Sequence, residues 1–192
     1  MSKENKEGKK KSVWKEIISW VVILVLAFVI GTGINNYVLL KAVIPSGSME
    51  NTLQIGDCLF GFRLAYLFSE PERGDIVMFD YPDDEETLYV KRIIGLPGET
   101  VEIIDGEVYI WEDETGEDKM LLEEPYLKEE PNAESYGPFE VPEGCYFMLG
   151  DNRNSSWDSR KWTNKYVEKE KIRSKAWLRY KPEIGFIEHY ND

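Results

Sequence analysis

The sequence predicts a mainly β protein, an antiparallel barrel or sandwich domain behind one N-terminal transmembrane helix. Three observations carry that expectation. Residues 17–40 hold no charged side chain, long enough to cross a bilayer. Behind them the apolar runs are of strand length and punctuated by Gly and Pro. Past residue 40 no long segment shows the 3.6-residue apolar period of an amphipathic helix.

The first element is the apolar run. As a helix its 24 residues rise about 36 Å, against roughly 30 Å of hydrocarbon core. Lys3, Lys6, Lys9, Lys10, Lys11 and Lys15 precede it and outnumber Glu4, Glu7 and Glu16. The positive-inside rule then makes residues 1–16 a cytoplasmic basic tail, 17–40 a membrane anchor and 41–192 an extracytoplasmic domain. The first sixteen residues carry +3 and the remainder −16, so the sign changes at the membrane. A cleaved signal peptide is the alternative, but only Gly31-Thr32-Gly33 follows the run, with no A-x-A site, and a retained anchor is expected.

The strands follow in order. Residues 76–79 and 88–94 read as short buried strands. Residues 100–104 and 107–111 flank Asp105-Gly106, a two-residue hairpin pattern. Residues 146–149 form another buried strand, and in 172–180 Ile172, Ala176, Leu178 and Tyr180 share a face opposite Arg173, Lys175 and Arg179. Residues 102–134 hold thirteen acidic side chains and two Lys, net −11. This acidic insertion, at about 102–138, is expected to be a solvated loop or hairpin away from the core, without the spacing of a calcium loop. The apolar segment 59–68, LFGFRLAYLF, is expected in the core; the alternative is a surface dipping into the outer leaflet.

Composition excludes several chemistries. A net charge of −13 and a pI near 4.7 repel phosphate backbones, so no nucleic-acid partner is expected. Cys58 and Cys145, 87 residues apart, form no CxxC site; two buried thiols are expected, with a single disulfide as the alternative. The only His is His189, so a Ser-His-Asp triad would hang on that residue, and no metal site or cofactor is expected. A nucleophile then needs another base, and a Lys serves when burial lowers its pKa. Lys91 lies in an apolar run among Leu88, Tyr89, Val90, Ile93 and Ile94; Ser48 lies in a turn between Pro45 and Met49. Alone, each also reads as an ordinary surface lysine or turn serine.

Taken together these segments resemble the type I signal peptidases. PSGSM at 45–49, with TLQIGD at 52–57, resembles the family's nucleophile box. RGDIVMF at 73–79, YVKRIIGLPGE at 89–99 and GDNRNSSWDSR at 150–160 resemble the three boxes that follow, in the family's order. The single anchor and small acidic insertion resemble the short Gram-positive-type form. The resemblance implies a signal-peptidase-like β domain and a serine endopeptidase with a Ser-Lys dyad that removes signal peptides from exported preproteins. Ser48 matches the nucleophile and Lys91 the general base. The Ser48 N–H and Ser46 hydroxyl match the oxyanion donors. Ser156 matches a hydroxyl that binds the Lys ammonium, and Asp151, Asp158, Arg160 and Arg92 a supporting charge network. Ile44, Pro45, Leu53, Leu59, Met78, Tyr89 and Val90 match pocket walls that admit only small residues at −1 and −3, and Ala42 a wall often larger. Asn51 stands where Pro is common, and Thr163-Asn164, Glu168 and Ser174 near positions often Gly or Pro. Expected partners are signal peptides and the bilayer, with a monomeric enzyme. The alternatives are a family member dedicated to one substrate, such as a pilin or conjugation protein, and an anchored domain that binds peptides without cleaving them.

Overall fold

The computed structural model describes residues 4–112, 116 and 118–190, with side chains from residue 13. The chain divides into two compact units between Val38 and Leu39.

The first unit is helix α1 (Glu4–Gly33), continued by one wider turn over Ile34–Val38. Its apolar stretch, Val13–Val38, has a mean hydropathy of 2.7, and none of it is buried by protein. A helix apolar all round and left uncovered is suited to lipid. Regular α-geometry stops at Gly31 and Gly33, where glycine weakens a helix. The span differs from the expected 17–40: it takes in Lys15 and Glu16, while Leu39 and Leu40 are extended, because they pair with Phe62 and Gly61.

The second unit is antiparallel β. Its strands are β1 (Leu39–Val43), β2 (Cys58–Phe62), β3 (Ile76–Tyr81), β4 (Asp84–Gly95), β5 (Thr100–Ile104) and β6 (Glu107–Trp111), then β7 (Met120–Leu121), β8 (Tyr136–Glu140), β9 (Cys145–Leu149), β10 (Tyr166–Glu168), β11 (Ile172–Lys181) and β12 (Gly185–Phe186). The larger sheet runs β1-β2-β11-β3-β4-β9-β10, with β12 added on β11. The smaller runs β7-β6-β5-β8. Strand β11 pairs with β3 along its first half and β2 along its second, shifting register through bulges. The β5–β6 hairpin turns at Asp105 (φ 50°) and Gly106 (φ 89°), the two positive φ values such a turn needs.

The acidic segment is not an excursion away from the core. Val101, Ile103, Val108, Ile110, Leu122 and Tyr126 are buried and pack with Phe147 and Leu149 of β9. Alternation explains both facts: apolar residues take one face of β5 and β6, and Glu102, Asp105 and Glu107 take the other face or the turn. Segment 59–68 divides. Leu59 is fully buried, whereas Leu67 and Phe68 are 62% and 96% exposed. Cys58 and Cys145 are free and only half-buried, on β2 and β9, four places apart in the sheet.

Candidate active site

Ser48 sits in a single 3₁₀ turn, Gly47–Met49, just after β1. Met49 and Leu53, both 1% exposed, pin the turn into the core beneath it, and Leu53 N–H donates to Met49 O at 2.8 Å. Asn152 clamps the turn from the other side. Its backbone N–H donates to Ser48 O at 3.1 Å and its side-chain amide to Gly47 O at 3.0 Å. Gly150 is required here, since a Cβ would lie 2.5 Å from Ser48 O and 2.2 Å from Ser156 Oγ.

Lys91 projects from β4, paired with Val77 of β3, and is 3% exposed. Its Nζ donates to Ser48 Oγ at 2.6 Å and to Val90 O at 3.1 Å, and lies 5.5 Å from the centre of the Tyr89 ring. Burial pushes the Lys91 pKa down to about 8, with Asp158 and Asp151 opposing part of the shift. At pH 8 about half the side chains are then neutral, against about 1 in 300 for an unperturbed lysine. A neutral amine at that distance can accept a hydroxyl proton, the requirement for a general base. Ser46 Oγ donates to Ser48 Oγ at 3.5 Å.

The charged residues form separate pairs rather than one network. Arg92 binds Asp151 through two bonds, at 2.8 and 2.7 Å, with both side chains fully buried. Thr52, from the loop that follows Ser48, also donates to Asp151. Arg160 binds Asp158 at 2.8 Å, and that pairing holds the Asp158 carboxyl low despite its burial. Arg153 binds Glu124. The two carboxylates thus anchor neighbouring loops, Asp151 to β4 and Asp158 to the Gly150 N–H at 3.1 Å. Ser156 differs from expectation. Its Oγ is buried beside Asp158, whose carboxyl it helps to hold low, and Lys91 bonds to Ser48 and Val90 instead.

The Ser48–Lys91 pair opens into a cleft of 520 Å³ lined by Ile44, Pro45, Tyr89 and Val90, and by Ala42. Three expected wall residues lie elsewhere. Leu53, Leu59 and Met78 are buried in the core cluster with Ile44, because their strand and turn positions face inward. The cleft instead includes Val43, Met49, Thr87, Leu88, Ser155 and Trp157, which sequence reasoning missed. Trp157 is 54% exposed, and its indole N–H donates to the Tyr81 hydroxyl at 3.2 Å. A tryptophan inside the otherwise polar 150–160 motif was the one signal that could have found it. Asn152 was also missed, although it lies in that motif. Asn51 has φ 92°, which proline cannot adopt, so a proline cannot replace it in this turn.

Residues 17–181 match the family model described as signal peptidase, peptidase S26. The chain is 37% identical to a probable signal peptidase I-2 of Synechocystis, over 96% of this chain and 82% of that protein. It is 37% identical to signal peptidase I of Bacillus licheniformis, covering 83% and 84%, and 33% identical to signal peptidase I S of Bacillus subtilis, covering 88% and 90%. A match across most of the chain, with relatives aligned along most of their own length, establishes that it belongs to the signal peptidases of peptidase family S26, serine endopeptidases that remove signal peptides from preproteins.

Proposed function

We propose that Ser48 is the nucleophile and Lys91 the general base of this peptidase. The observation that carries the reading is the 2.6 Å approach of the Lys91 Nζ to the Ser48 Oγ inside a mostly apolar cleft. Neutral Lys91 takes the Ser48 proton as Oγ attacks the scissile carbonyl. The Ser48 N–H and the Ser46 hydroxyl face the developing oxyanion. Lys91 then returns the proton to the leaving amine, and water deacylates the enzyme by the reverse sequence.

An extended signal peptide lies along the cleft between β1 and β4, with its −1 and −3 side chains against Ile44, Pro45, Tyr89, Val90 and Ala42. Residues 1–16 stay in the cytoplasm, the apolar helix anchors the enzyme in the bilayer, and the β unit works outside as a monomer. Sharing a membrane with the substrate raises its effective concentration. The reading needs no metal, cofactor or nucleic acid.

Cleavage of a purified secretory precursor in detergent tests it. Wild type releases the mature protein after a small residue, and Ser48→Ala and Lys91→Ala do not. An inert wild type on several precursors would favour a peptidase dedicated to one substrate.

A further inference from the structure

We propose that His189 is a positioning residue for the catalytic strand β4: its neutral imidazole splices β3 to β11 where their ladder ends, and uptake of one proton from solvent opens that splice.

The ladder between β3 and β11 pairs Lys175 with Val77 and then stops. Continued, it would join Ala176 to Ile76. His189 fills that place. Ile76 N–H donates to Nδ1 at 3.0 Å, and Nε2 lies 2.9 Å from Ala176 O. A carbonyl only accepts, so Nε2 carries the proton and Nδ1 carries none. The ring therefore works only when neutral. Residues 185–190 hold it in place, through the β12–β11 pairing and an Ile187 N–H bond to Trp177 O at 3.1 Å. The adjacent Tyr190 ring lies 5.4 Å from the Tyr126 ring and 5.5 Å from the Arg92 guanidinium.

The splice bears on catalysis through one step of register. Ile76 pairs with Arg92, the neighbour of Lys91 and the partner of Asp151. Protonation would set Nδ1–H against the Ile76 N–H and break the first bond. The groups facing the ring are Asp75 at the start of β3, Lys175 on β11 and Arg92 on β4. Asp75 Oδ1 is 3.8 Å from Nδ1 and would draw a charged ring away from Ile76. Asp75 is already committed through Oδ1 to Lys175 at 2.5 Å and through Oδ2 to the Tyr66 hydroxyl at 2.8 Å. Burial, with Lys175 next, lowers the His189 pKa, so the neutral form prevails at ordinary pH.

The chain has one histidine, so its imidazole can be followed alone in the full-length protein in detergent. NMR of histidine-labelled wild type is expected to show the Nε2–H tautomer and a midpoint below the ordinary 6.5. The Ile76 amide is expected to be protected above that midpoint and to exchange faster below it. An Nδ1–H tautomer, a midpoint at or above 6.5, or unchanged Ile76 exchange overturns the proposal. Cleavage supplies the second arm, which rests on the Ser48–Lys91 reading. The logarithm of wild-type kcat/KM should fall with slope one below about pH 8 and steepen towards two below the His189 midpoint. His189→Gln, which offers one acceptor and one donor without titrating, should keep slope one. His189→Ala should lose roughly tenfold at neutral pH. Identical steepening in His189→Gln overturns the proposal, whereas a missing limb near pH 8 counts against Lys91 and leaves the NMR arm to decide on His189.

Discussion

The Nζ of Lys91 stands 2.6 Å from the Oγ of Ser48, although the two residues come from different elements, a turn after β1 and the middle of β4. Burial and this hydrogen bond act together: the pocket disfavours the ammonium, and the hydroxyl is in place to lose its proton. With neutral Lys91 as the proposed base, kcat/KM should rise with pH through an apparent value near 8 and level off above it. A rate–pH profile on a synthetic signal-peptide substrate checks this. A flat profile from pH 6 to 9 would remove Lys91 as the base. Ser48→Ala and Lys91→Met should each lose about 10³-fold or more in kcat.

Lys91→Met should be inactive and more stable. The folded pKa near 8 lies below the unfolded value near 10.5, so the unfolded state binds more protons between them and stability rises with pH across that window. At lower pH, holding the buried ammonium costs on the order of 3 kcal/mol, which the methionine removes. Thermal unfolding in detergent should show a higher Tm for the variant at pH 7, with the difference shrinking towards pH 10.

Arg92→Ala should destabilise the protein by about 3–5 kcal/mol, because it strands the fully buried Asp151 carboxylate. Asp151 also receives Thr52 from the nucleophile loop, so the variant should lose activity before it unfolds. Comparing cleavage at low temperature with the unfolding midpoint separates the two losses. Full activity in a folded Arg92→Ala enzyme would refute the bracing role.

Gly150→Ala should cut kcat by about 10²-fold with little change in KM. The new methyl would press on the Ser48 carbonyl at 2.5 Å and shift the nucleophile turn. Steady-state kinetics distinguishes this from a weakened substrate site.

Ala42→Phe should narrow the cleft at the −3 residue. Substrates with Ala, Val and Leu at −3 should be cleaved in a steeper order by the variant than by wild type. Equal rejection of Leu by both would show that Ala42 does not set the tolerance.

Much of this is legible in the sequence because it rests on local pattern. The Asp105-Gly106 hairpin needs only two residues that accept positive φ. The proposed Ser48–Lys91 dyad is suggested by the lack of a usable histidine and by the order of four motifs that resemble the family's, and the two side chains do meet. Contacts between distant segments are not legible. Leu53, Leu59 and Met78 share the composition of pocket residues, and only their facing, set by a turn and two strands, sends them into the core. The acidic segment reads as a solvated excursion because its charge hides an alternating apolar face. The imidazole of His189 binds backbone groups of two strands, which no side-chain pattern announces.

Cys58 and Cys145 sit on strands four places apart, roughly 19 Å across a flat sheet and well beyond the span of a disulfide. The β unit therefore closes without a covalent cross-link. An enzyme that removes signal peptides from preproteins can in this way finish its own folding without thiol-oxidising helpers, and a reducing buffer should leave it as active as an oxidising one.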